Sequence, residues 1–277
     1  MTSLTARLSF PGEPSYVSSP TATSVQFLVH TRLLPSGAIA CTRVLVDPWA
    51  IHDVEFDESS RTKLRGEFER VLRELKVRMI PAPESYVAAR IHDAMAVHAL
   101  AGKTLTPTVQ RALGFIAKPA GVVAHPARVL SPVADAAERV ERSLALHTEP
   151  EVNPLLPSKE EIDAVGDYVA KHTGANAGPE VTIGFVDPTL KALREGIDVA
   201  CTRSTLDRLA LQLRDLALVF AGTRRPELAL DAVAVADAIE AAGEGTTRPD
   251  QIPFVFGLFY KFALVQREYA KAQGPSK

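Results

Sequence analysis

Cysteine is scarce in this chain: Cys41 and Cys201 are the only two among 277 residues. Two thiols cannot cross-link a chain of this length, so a disulfide scaffold is excluded, and a zinc site built on Cys-x-x-Cys pairs has no ligands. Both thiols are expected to be reduced and buried, acting as small apolar groups. A charge excess of one sign is also missing. Lys and Arg number 31 against 33 Asp and Glu, for a net charge of -2 and a pI near 6.4. No whole-chain field therefore draws in nucleic acid or anionic lipid. Long apolar runs are absent as well. The longest, 252–265, contains Lys261 and falls short of the ~18 residues that suggest a membrane-spanning helix. Residues 1–10 lack the basic cluster and apolar run of a secretory signal. These absences point to a cytoplasmic protein without a membrane partner.

What is present is a folding composition, 46% hydrophobic and 23% charged, too apolar for a disordered chain. A chain of this size buries roughly 75% of its unfolded surface and lies near the size at which one core becomes two. The expected fold class is α+β: a small N-terminal antiparallel sheet covered by helices, followed by an all-helical C-terminal domain. Val25, Phe27, Val29 and Thr31 alternate with Gln26, Leu28, His30 and Arg32, which predicts a half-buried strand with the first set inward. Pro35-Ser36-Gly37 supplies a turn, and residues 38–46 return as a second strand. A further strand within 4–10 is expected to join them. Asp57 is a candidate cap for a helix carrying Leu64, Phe68 and Leu75. A second helix is expected over 84–101 with Gly102 as its stop, and a third from Thr106-Pro107.

The domain boundary is placed at 148–157, whose prolines suggest a stiff linker between an α+β domain (1–147) and a helical bundle (158–277). Ser158 with Glu161 forms a capping box, and Ser204 with Asp207 comes close to one. Apolar stripes run through Leu190, Leu193, Ile197 and Cys201, then Leu206 to Phe220, then Leu228 to Ile239. A short strand is expected over 180–186.

Catalytic signatures are missing too. Gly102-Lys103-Thr104 ends like a phosphate-binding loop, but position 97 is Val97 rather than glycine, and the segment follows a helix. Ser60 and Lys63 have the spacing of a serine–lysine pair without its companion motifs. His52-Asp53 and His92-Asp93 raise a different chemistry, since His-Asp dyads can hold a divalent metal that activates water. The chain resembles metal-dependent phosphohydrolases of that type in the dipeptide only. The sequence calls for no cofactor and no resident metal, and it singles out no catalytic residue.

Two segments suggest binding. Residues 94–113 have the outline of a helix-turn-helix that sets Thr108, Gln110 and Arg111 at a DNA groove. The turn is one residue too long, and Pro107 opens the reading helix. Residues 252–265 carry Phe254, Phe256, Phe259 and Phe262 on two faces of one helix, where a surface helix needs a single apolar face. These four are the candidate interface, either central in the bundle or exposed to a partner. The leading expectation is a non-catalytic interaction or assembly protein with a protein partner or a homo-oligomeric state. DNA binding comes second and metal-dependent phosphoester hydrolysis third.

Overall fold

The computed structural model describes residues 14–21, 25–47, 50–173 and 188–262. It is an α+β protein with an antiparallel sheet near the N-terminus and helices after it. Two compact units emerge: residues up to 131 together with 214–233, and residues 132–213 together with those from 234 onward. The division falls inside two helices.

In the first unit the sheet contains β1 (Ser15–Ser18), β2 (Gln26–Leu33), β3 (Ile39–Val46), β4 (Ile51–Ser59) and β5 (Met79–Ala82), in the order β4-β3-β2-β1-β5. The β2–β3 hairpin closes at the expected turn, where Gly37 takes the left-handed φ of 83° that a side chain disfavours. β2 is covered on both faces, which corrects the half-buried reading. Val29 and Thr31 are buried on one side; Gln26, Leu28 and His30 are buried on the other. β4 and β5 went unrecognised in the sequence. Among the described residues both are sheet edges, β4 rich in acids and β5 interrupted by Pro81, which an edge strand tolerates because one of its sides needs no donor. The strand expected within 4–10 lies outside the described residues.

Helices α1 (Arg61–Leu75), α2 (Glu84–Leu100) and α3 (Pro107–Gly114) follow, and residues 214–233 add parts of two later helices to this unit. The α1 cap is Ser60, whose hydroxyl accepts from the Lys63 N–H at 3.2 Å. Asp57 instead sits in β4 and binds Arg43. The Thr106 hydroxyl accepts from the Val109 N–H and Pro107 occupies the first turn of α3, as expected. Gly102 follows α2 at φ 68°. One face of the sheet packs Val29 and Cys41 against Leu64 and Phe68 of α1, with Tyr16 meeting Phe68 edge-on at 4.7 Å. The other face receives α2 against β1 and β2.

The second unit is helical. It holds α4 (Ala136–Glu141), α5 (Lys159–Thr173), α6 (Pro188–Ala200), the first half of α7 (Arg203–Gly222) and the second half of α8 (Pro226–Gly243). A further helix, α9, covers 253–262 among the described residues. The Ser158–Glu161 capping box forms in both directions, at 2.7 and 3.2 Å. α7 is capped by Thr202, whose hydroxyl accepts from the Thr205 N–H, so Ser204, two residues later, already lies inside the first turn. Residues 148–157 lie within this unit and bury Val152 and Leu155. The strand expected over 180–186 lies outside the described residues.

Candidate functional site

The most polar buried feature belongs to the first unit and centres on Asp215, which has no exposed surface. Tyr86 OH and His125 Nε2 donate to its Oδ1 at 2.9 and 3.1 Å. Arg90 and Gln26 donate to its Oδ2 at 2.8 and 3.3 Å. Burial raises the carboxyl pKa, but the Arg90 charge and the His125 bond outweigh it and hold Asp215 well below the usual carboxylate range. Burial lowers the His125 pKa, and burial together with the Asp215 charge raises that of the Tyr86 phenol. His125 Nδ1 accepts from the Ala127 N–H at 3.0 Å, so the ring proton sits on Nε2. Both ring nitrogens are thus engaged, and neither is open to take a proton from a substrate. The network ties β2, α2, the loop at 125 and α7 together.

The second feature is open to solvent. Between α1 and the adjacent sheet face lies a cleft of ≈ 350 Å³. Its apolar floor comes from Phe27, Val29 and Met79 of the sheet and Phe68, Val71 and Leu75 of α1. Its rim is charged, with Glu55, Asp57, Glu67 and Glu74 against Arg43 and Arg70. Arg43 donates to Asp57 at 2.7 Å and also to Glu67, and Lys63 donates to Asp57 at 3.3 Å, so these two acids are already paired with two bases. Burial lowers the Arg43 pKa, but the Asp57 and Glu67 bonds outweigh it, so the guanidinium stays charged. With four acids against Arg43 and Arg70 in its lining and Lys63 beside Asp57, the rim is acidic on balance. Below it, burial pushes the Cys41 thiol up to about 11, which makes it a packing group rather than a nucleophile.

Phe254 and Phe259 are buried, while Phe256 and Phe262 are half-buried. The Arg194 guanidinium lies 4.4 Å from the centre of the Phe256 ring, and Tyr260 stacks on the same ring. Ser143 and His147 bind the backbone N–H and carbonyl of Phe254, tying the first turn of α9 in place. Thr108, Gln110 and Arg111 are all exposed on α3, and Gln110 donates back to the Leu105 carbonyl. α3 packs against the acid-rich β4. The two His-Asp dyads have separate partners: His52 pairs with Asp47 at 3.0 Å, and His92 with the Ile116 carbonyl at 3.0 Å. Among the described residues, no group of three or more His, Cys, Asp or Glu is placed to hold a metal ion, and no helix is long and apolar enough to cross a membrane.

Sequence reasoning missed the Asp215 network and the cleft. The network left a trace, because Arg90 and Asp215 interrupt apolar stripes between Val87 and Ile91 and between Leu213 and Leu216. The cleft left none, because it needs β4, which the sequence did not reveal. No family model matches the chain, and no curated protein or solved structure matches it either.

Proposed function

We propose that this is a non-catalytic adaptor or assembly protein that holds a segment of a protein partner in the cleft between α1 and the sheet. The observation that supports this reading is an open apolar floor beneath an acidic rim, a combination that suits an apolar anchor flanked by Lys or Arg. The titratable cluster with the strongest perturbation is spent on structure, since His125 and Asp215 are sealed inside and fully bonded. DNA binding has weaker support. Thr108, Gln110 and Arg111 are exposed, but the strand packed against α3 carries Asp53, Glu55, Asp57 and Glu58, which repel phosphate.

Panning a random peptide library against the protein tests this. Recovered peptides are expected to carry an apolar residue among basic ones and to bind Val71→Glu about tenfold or more weakly. Recovery of no binders, or binders indifferent to Val71→Glu, would overturn the proposal.

A further inference from the structure

One wall of the cleft is also an edge of the sheet. β4 pairs only with β3, and among the described residues no strand lies on its other side. It is nine residues long and largely exposed, with His52, Asp53, Glu55, Phe56 and Glu58 open to solvent. An unpaired edge is a ready template for another strand, and native sheets guard it with charge. The charge here has one sign: Asp53, Glu55, Asp57 and Glu58, with no Lys or Arg in the strand.

Over residues 52–58 the two faces of the strand differ: the cleft face carries acids alone, and the other carries His52, Val54, Phe56 and Glu58. Asp53, Glu55 and Asp57 stand opposite Leu45, Arg43 and Cys41 and share the cleft face of the sheet. Phe56 stands opposite Thr42 on the other face, where its ring stacks on Phe115 at 5.7 Å. These two rings are 46% and 54% exposed, although together they form one aromatic patch. The Val54 N–H donates to the Asp53 carboxylate at 2.8 Å, an acceptor that an incoming carbonyl would replace.

We infer that the partner segment binds as an extended strand along the free edge of β4, alternating Lys or Arg on the cleft face with apolar side chains beside Phe56 and Phe115. The inference rests on reading the cleft as a docking site, and it names what docks. A strand added about 4.8 Å from β4 brings its alternate residues beside Glu55 and Asp57 on one face and beside Phe56 on the other. A second copy of β4 is the wrong occupant, because acids would then stand opposite acids.

The probe is a fluorescent nine-residue peptide alternating lysine with valine and phenylalanine, read by fluorescence anisotropy against the full chain. Two further peptides carry N-methyl groups on the odd or on the even amides, which leaves charge and side chains in place. One methylated series is expected to bind about tenfold or more weakly while the other binds nearly as the parent, because only alternate amides of an edge strand face its neighbour. Glu55→Lys should weaken the parent peptide similarly, and a glutamate-for-lysine peptide should not bind. No binding of the parent peptide, or equal binding of both methylated series, would overturn the inference. If library peptides still bind in a Val71-dependent way, the strand inference alone falls. If they do not, the docking site falls with it.

Discussion

Replacing Asp215 by asparagine keeps the shape and removes one charge. Oδ1 can still accept from Tyr86 and His125, but the new NH2 group lies where Oδ2 accepted Arg90 at 2.8 Å and Gln26 at 3.3 Å. The Arg90 side chain is 7% exposed, so its guanidinium would face a donor with little water to compensate. Stripping one partner from a buried ion pair costs about 3–5 kcal/mol, a large share of the ~5–15 kcal/mol that holds a domain together. With a urea slope of about 2 kcal/mol/M, the unfolding midpoint should fall by about 2 M. Adding Arg90→Met removes the stranded charge and should restore part of the loss, with a coupling energy above about 1 kcal/mol in the double-mutant cycle. A single variant within ~1 kcal/mol of the parent would show that the Arg90 charge is compensated elsewhere and would refute the reasoning.

Other consequences follow from the same packing. Burial lowers the pKa of His30, His125 and His147, so the folded protein holds these rings neutral. Their stabilisation is complete above about pH 6.5 and is lost as pH falls from there towards the folded values, by up to ~1.4 kcal/mol per pH unit for each ring. Urea midpoints should therefore be lower at pH 5.5 than at pH 7.5; an unchanged midpoint would count against buried neutral imidazoles. Asp215, held low, adds a further loss only below about pH 4, detectable as a second acid-induced fall in stability. A Cβ on Gly257 would come within 2.7 Å of His147 Nε2 and 2.8 Å of Leu144 Cδ2. Gly257→Ala should thus lower the melting temperature despite its better helix propensity, and a rise would contradict the close approach. Cys41 and Cys201, both buried with thiols pushed up to about 11 and about 12, should resist a thiol reagent until the chain unfolds.

Much of the fold was legible where the signal is local. The Pro35-Ser36-Gly37 turn, the Thr106-Pro107 start and the Ser158–Glu161 box each act within three or four residues, and each forms as read. β4 was not legible, because Asp53, Glu55, Asp57 and Glu58 lower its intrinsic strand preference and only pairing with β3 makes it a strand. The same residues suggested a helix cap at Asp57, whereas Arg43 on the neighbouring strand claims that carboxylate. Arg90 and Asp215 were visible as charges in apolar stripes, but nothing local pairs residues 125 positions apart. The phenylalanine-rich segment showed two apolar faces, and sequence alone could not say that Phe254 and Phe259 would be covered while Phe256 and Phe262 stayed partly open.

The docking claim is tested most directly by amide chemical-shift mapping on titration with the lysine–valine–phenylalanine peptide. The largest shifts are expected along β4 at Asp53 to Glu58, with smaller ones at Val71 and Leu75 of α1. Shifts centred on Thr108, Gln110 and Arg111, or none in the first unit, would contradict it.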